Sequence, residues 1–107
     1  MRVLPFSTSP AFEYRIVLDG IAYNFSFIWN TRGEYWNMGI RDDQNVNLVD
    51  SIKIVLDTEL IEQFVDRGLP SGRIYAFDTS GNKSNIAYED MTNGRVSLYY
   101  VEEDEIV

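Results

Sequence analysis

The chain has 107 residues, a length that suits one domain with a modest hydrophobic core. Its 17 acidic residues outnumber its 9 basic ones, and the formal net charge of −8 argues against DNA, RNA and anionic membranes as partners. Because it contains no cysteine and no histidine, it lacks disulfides, thiol nucleophiles and the commonest general base and metal ligand. No secretory signal and no membrane-spanning run is visible, which predicts no membrane insertion.

The first part of the chain predicts an edge segment followed by a hairpin. A short apolar run contains Pro5, which cannot donate to a sheet, so we expect an edge strand or an extended arm. Residues 12–18 then alternate in polarity, and Asp19-Gly20 is the dipeptide typical of a tight hairpin turn. The partner strand, residues 21–30, places a single set of large side chains on one face: Ile21, Tyr23, Phe25, Phe27 and Trp29.

The alternation continues beyond a second turn. Residues 30–33 have turn chemistry, and residues 34–40 resume the period of two, which predicts a three-stranded meander. The aromatic face of the central strand has two interpretations, a stacking platform for sugars or bases and the inside of a sheet. The core is favoured, because inward alternation on a central strand is what a core requires.

The second half of the chain predicts more strands and one helix. Residues 48–56 indicate a strand that Asp50-Ser51 interrupts as a bulge or short turn. The apolar residues of the segment 57–67 recur at helical spacing, and Asp57 and Gly68 have the composition of helix caps. Three further extended pieces are expected at residues 73–77, 86–89 and 95–101.

These elements predict a mainly β fold, an antiparallel, partly closed barrel or small sandwich of about six to seven strands with one short helix. A single β domain is expected over residues 1–101. Residues 102–107 are expected to form an acidic C-terminal tail.

No catalytic or metal-binding arrangement stands out. Lys53 and Lys83 lack the context of a serine–lysine pair, and paired carboxylates would need a cleft that is hard to form in one small domain. The residues from Asp43 onward imitate the start of an EF-hand loop, but Leu48 and Ile54 occupy two of its fixed positions. We therefore expect no enzyme, no cofactor and no metal site.

The chain carries an ordered set of motifs that spans nearly its whole length: Leu18-Asp19-Gly20, Tyr23, Trp29-Asn30-Thr31-Arg32, Trp36, Leu60-Ile61 before Phe64, and Leu98-Tyr99-Tyr100. This ordered set resembles the baseplate plug family of contractile-tailed bacteriophages, the cyanophage-type plug protein. Two departures are Asp57, where the family often has glycine, and the acidic tail after the last strand.

The resemblance implies a non-enzymatic structural component of a phage tail baseplate that docks to hub and tube-end proteins. It would lie in the virion and be assembled in the bacterial host cytoplasm, with a homo-oligomer in the particle left open. The family brings no catalytic residue. Its most recognisable motif corresponds to Asn30, Arg32 and Trp36, which either contact a partner or brace the hairpin.

Two other hypotheses remain. A small β-sandwich that binds carbohydrate or a host protein predicts a solvent-exposed row of Trp or Tyr on one sheet face. An acidic inhibitor that mimics DNA predicts salt-sensitive binding to a basic enzyme. The spread of charges over alternating strands counts against the inhibitor.

Overall fold

The computed structural model describes residues 2–61, 68–78, 86–93 and 95–102. This part of the chain contains seven strands and a 3₁₀ turn. The strands form two antiparallel sheets, one with three strands and one with four. Their bounds are Arg2–Leu4 (β1), Ala11–Leu18 (β2), Ile21–Asn30 (β3), Tyr35–Asp42 (β4), Asn47–Lys53 (β5), Arg73–Asp78 (β6) and Val96–Val101 (β7), and the 3₁₀ turn spans Tyr88–Met91.

The four-stranded sheet contains the predicted meander, in the order β2–β3–β4–β5. Leu18 pairs with Ile21 across the first turn. Asp19 and Gly20 have φ angles of 51° and 80°, as a two-residue hairpin turn of this kind requires. The three-stranded sheet has the order β1–β7–β6.

Three of the five large residues on one face of β3 form the core, as predicted, whereas Ile21 at the start of the strand is 56 % exposed and Trp29 is only partly buried. Tyr23, Phe25 and Phe27 are at most 2 % exposed, and they belong to one cluster with buried residues of the three-stranded sheet such as Ile74 and Leu98. The inner faces of the two sheets therefore share a core, and the sheets do not close into a barrel. Of the two predicted architectures, the small sandwich is the one observed.

The interruption at Asp50-Ser51 is a β-bulge. Met38 pairs with Ile52 and Ile40 with Val49, so that two residues of β5 lie opposite one residue of β4. The extra residue shifts the alternation, which buries both Val49 and Ile52. In a regular strand residues 49 and 52 would lie on opposite faces, because side chains alternate, and the bulge changes the phase so that both face the core.

The predicted helix is not present in the part of its segment that the structure describes, residues 57–61. Asp57 has a φ of 58° and its amide donates to the carbonyl of Ala76, while the amide of Leu60 donates to that of Ile74. The chain therefore runs along the outer edge of β6, and the remainder of the predicted helix, residues 62–67, lies outside the described residues.

Two smaller predictions concern the C-terminal part. The segment 86–89 was predicted to be extended, but the 3₁₀ turn begins at Tyr88. Residues 103–107 of the predicted acidic tail lie outside the described residues. No helix in the described part of the chain is both long and apolar enough to cross a membrane.

Candidate docking site

The predicted interaction motif lies at the turn between β3 and β4, where residues 31–34 form the hairpin tip. Asn30 organises this turn. Its Oδ1 accepts a hydrogen bond from the Gly33 amide at 2.9 Å, and its carbonyl accepts one from the Glu34 amide at 2.8 Å. Its Nδ2 also donates to the Tyr35 hydroxyl at 3.2 Å. The side chain of Asn30 is thus occupied in fixing the loop.

Arg32 lies in the hairpin tip and is exposed. Within the ranges that the structure describes, its guanidinium makes no ion pair and no hydrogen bond. All five of its N–H donors are therefore available to a partner. Of the three residues predicted to interact, Arg32 is the one whose side chain is presented outward.

Trp36 holds the base of the hairpin and is 1 % exposed. Its Nε1 donates to the carbonyl of Tyr88 at 3.2 Å, and the Tyr88 ring stacks on it with centroids 5.3 Å apart. Trp29 packs against the rings of both residues in edge-to-face geometry. Trp36 therefore positions the groups around the hairpin and is not itself accessible at the surface.

A buried charge network anchors the 3₁₀ turn that carries Tyr88. Asp90 Oδ2 accepts a hydrogen bond from the Ala87 amide at 2.7 Å and forms an ion pair with Arg95. Arg95 also pairs with Asp78 at 3.0 Å. The two carboxylate residues are only 6–9 % exposed, so this arrangement fixes the turn against β6 and β7.

The hairpin tip and the 3₁₀ turn enclose an open cleft of about 350 Å³. Aromatic rings form its walls and the backbone of the hairpin tip forms its rim. A cleft of this size can accept one or two large side chains of a partner protein. Its lining consists of Trp29, Gly33, Glu34, Ile86, Ala87 and Tyr88.

The three tyrosines whose pKa burial raises, Tyr14, Tyr23 and Tyr100, do not line the cleft. Among the described residues, no group of three or more carboxylates is arranged to hold a metal ion. The site thus combines an accessible guanidinium with a rigid aromatic cleft.

Ile86 and Tyr88 are parts of this site that could not be identified from the sequence. Tyr88 is 52 residues from Trp36 in the sequence, and its hydroxyl donates to the carbonyl of Thr8 at the other end of the chain. These contacts depend on how the two sheets face each other. The periodicity of the local sequence therefore cannot predict these contacts.

Comparison with protein families relates this chain to a phage protein family. The sequence model of the family described as the cyanophage baseplate Pam3 plug gp18 matches residues 1–103, which includes both sheets, the hairpin tip and the cleft. A search of curated proteins gave no match. The resemblance to baseplate plugs is thereby confirmed, and the chain belongs to this cyanophage baseplate plug family, as a structural protein of a phage tail baseplate.

Proposed function

We propose that the chain acts in the baseplate by docking to neighbouring tail proteins, at the hub or tube end, through the hairpin tip and the adjoining cleft. It performs this role without catalysis and joins the particle in the host cytoplasm. Asn30 and Trp36 are assigned to hold the site, and Arg32 to contact the partner. The observation that carries the proposal is the exposed Arg32 in a hairpin tip whose next two residues, Gly33 and Glu34, line a preformed aromatic cleft.

The composition of this surface supports docking. Arginine, tryptophan and tyrosine are the residues most often found at the energetic centres of protein interfaces. Here the hydrogen bonds of Asn30 and Trp36 fix the loop and the rings before any partner arrives. A surface that is already ordered loses less conformational entropy on binding, which raises its affinity for a given contact area.

The net charge supports a basic partner. With a formal charge of −8, the chain is drawn toward positively charged surfaces, and this attraction speeds encounter more than it strengthens the final complex. Arg32 then provides a local contact for a carboxylate or carbonyl group within that surface. Docking to such a partner is expected to weaken as salt is added.

The alternative of a carbohydrate-binding module predicts an exposed aromatic row, and a partly exposed one exists on β6 and β7. However, the Tyr75 and Phe77 rings stack on each other at 5.4 Å with an angle of 14° between their planes, and Phe77 also packs against Tyr99 at 5.7 Å. Ring faces that are turned toward one another are not offered to a sugar. The geometry favours a protein contact.

The test is size-exclusion chromatography with light scattering of the chain mixed with the hub and tube-end proteins of its phage. We expect a stable complex, which Arg32→Ser weakens at least about tenfold. Arg15→Ser is the matched control, because Arg15 is also exposed and pairs only with exposed Asp43 among the described residues. The absence of any complex, or equal losses in both variants, would contradict the proposal.

A further inference from the structure

The first strand of the four-stranded sheet has an open side. β2 is the outermost strand of its sheet and pairs with β3 along its whole length, from Ala11 opposite Ile28 to Leu18 opposite Ile21. Within the ranges that the structure describes, no strand pairs with its other side. With eight residues and no shift in register, β2 is a long and regular edge strand.

The hydrogen bonds to β3 determine which backbone groups of β2 face this open side. The carbonyl of Pro10 accepts a hydrogen bond from the Trp29 amide at 2.8 Å. Because bonded and non-bonded pairs alternate along an antiparallel ladder, every second residue after Pro10 is also bonded to β3. The amides and carbonyls of Glu13, Arg15 and Val17 therefore point away from β3.

Side chains close this edge at its two ends and leave its middle open. The Arg2 guanidinium donates to the carbonyl of Val17 at 2.6 Å, and the Ser9 hydroxyl donates to that of Ala11 at 3.0 Å. Both carbonyls belong to the set that points outward, which supports this assignment. Between them, three amides and two carbonyls of residues 13–17 have no hydrogen-bond partner among the described residues. An extended chain of about five residues can pair with this row.

β2 lacks the features with which proteins usually protect an open edge, since residues 11–18 contain no lysine, no proline and no bulge. Its two charged side chains do not guard the edge either. Arg15 Nε pairs with Asp43 Oδ1 at 3.0 Å, and Glu13 Oε2 lies 3.8 Å from Arg41 Nη1. Arg41 is on β4 and Asp43 follows that strand, so both side chains reach across β3 and away from the open side.

The inward residues of β2 are also incompletely covered. On the neighbouring strand β3, Phe25 and Phe27 are fully buried. On the same face of β2, Phe12, Tyr14 and Ile16 are only partly buried. A strand added beside β2 would cover the open flank of these side chains with its own inward residues.

We infer that an extended, basic segment of a partner protein binds this edge as an added strand, with its apolar residues turned toward the core. The open amides and carbonyls recognise an extended main chain. The formal charge of −8 repels a second copy of the chain and attracts a basic segment. The Glu13 side chain is 72 % exposed and its contact with Arg41 is long, so it can accept one basic side chain of the segment.

This contact is separate from the proposed docking at the hairpin tip. Residues 13–17 of β2 pair with residues 22–26 of β3, whereas the hairpin tip follows the other end of that strand. The inference therefore does not rest on the proposed docking role. A short segment held mainly by backbone hydrogen bonds is expected to bind with a dissociation constant between about 10 µM and about 1 mM.

The experiment probes the purified chain with overlapping peptides of about 12 residues that cover the tail proteins of its phage. We expect a basic peptide with alternating apolar residues to bind, and calorimetry gives its dissociation constant. Arg15→Pro removes an outward amide and no bond to β3, so it should weaken binding at least about tenfold. Arg15→Ser is the matched control, because it removes the same side chain but keeps the amide, and it should change binding by less than about twofold.

A second measurement tests backbone pairing without changing the protein. The bound peptide is synthesised with methyl groups on the backbone nitrogens of one alternate set of residues or of the other. Only every second amide of an added strand faces β2, so one set of methyl groups should abolish binding and the other should not. Circular dichroism and urea unfolding verify that Arg15→Pro is folded.

Several results would overturn the inference. One is the absence of any peptide that binds with a dissociation constant below about 1 mM. Equal binding to Arg15→Pro and Arg15→Ser, or equal losses with the two methylated peptides, would contradict backbone pairing. A peptide that Arg32→Ser weakens and Arg15→Pro does not would lie in the cleft. Dimers of the chain that Arg15→Pro alone dissociates would assign the edge to a second copy.

Discussion

The hydroxyl of Tyr100 donates a hydrogen bond to Asp19 Oδ2 at 2.5 Å, which joins the last strand of one sheet to the first hairpin turn of the other. The same hydroxyl accepts a hydrogen bond from the Gly72 amide at 2.8 Å. Tyr100 is fully buried, so these bonds form a cross-sheet connection that water does not replace. This connection holds the end of the sandwich opposite to the hairpin tip.

Removal of the Tyr100 hydroxyl should destabilise the fold. Tyr100→Phe breaks a hydrogen bond to a carboxylate and leaves the Gly72 amide without its acceptor, at an expected cost of about 2–3 kcal/mol in the free energy of unfolding. Urea denaturation measures this change. Tyr99→Phe is the control, because Tyr99 is only partly buried and its variant should stay within about 0.5 kcal/mol of the wild type. Equal stabilities of the two variants would show that the connection contributes nothing.

Removal of the Tyr14 hydroxyl should not lower the free energy of unfolding and is expected to raise it slightly. Tyr14 stacks against Phe25 and Phe27, and its buried hydroxyl has no hydrogen-bond partner among the described residues. A buried polar group without a partner costs free energy, so Tyr14→Phe is expected to leave stability unchanged or raise it by up to about 1 kcal/mol. The same urea titration checks this. A loss above about 1 kcal/mol would reveal a partner, such as a bound water.

Alkaline pH should destabilise the protein through the same two tyrosines. Burial raises the pKa of Tyr14, and burial together with the hydrogen bond to Asp19 raises the pKa of Tyr100. In the unfolded chain both release their protons near pH 10, while the folded chain retains them. Their contribution to the free energy of unfolding is therefore complete below pH 10. It is lost as the pH rises above 10, by at most about 1.4 kcal/mol per pH unit for each tyrosine.

Urea denaturation between about pH 9 and about pH 11.5 measures this pH dependence. Tyr14→Phe and Tyr100→Phe should each reduce the slope above pH 10, and the double variant should reduce it further. If the wild type and the double variant lose stability equally over this range, these two tyrosines do not cause the loss.

Arg95 should be essential for the turn that carries Tyr88. Arg95→Leu leaves the buried carboxylates of Asp78 and Asp90 without their common cation, at an expected cost of about 3–5 kcal/mol. The measurement is urea denaturation followed by tryptophan fluorescence, since Trp36 bonds to Tyr88. Arg15→Leu breaks an exposed ion pair and should cost at most about 1 kcal/mol. Similar losses in both variants would contradict a special role for the buried network.

The meander and its core could be predicted from the sequence because both depend on local alternation. β2 and β3 carry a strict period of two around Asp19-Gly20, and the face with Phe25 and Phe27 is buried as expected. The resemblance to the baseplate plug family could also be recognised from the sequence, because the motifs occur along the chain in the same order as in that family. The position of Arg32 at a turn followed from the composition of residues 30–33.

The remaining features depend on distant contacts. Leu60 and Ile61 have the spacing of a helix face, but they are also buried when the chain follows the edge of β6. The extended path is observed because amides of this segment donate hydrogen bonds to carbonyls of β6. The position of the bulge in β5 could be predicted from the sequence. The burial of Val49 could not, because the face that a residue occupies after a bulge depends on how β5 pairs with β4. The cleft depends on the approach of Tyr88 to Trp29.

The most direct test of the docking role is site-specific photocrosslinking in assembling tails. Thr31, exposed beside Arg32, is replaced by the photoreactive amino acid p-benzoylphenylalanine, and the same replacement is made at Ile28 as a control. The account predicts a crosslink from position 31 to a hub or tube-end protein and none from position 28. Tails that incorporate the variant but give no crosslink at position 31, or equal crosslinks at both positions, would contradict it.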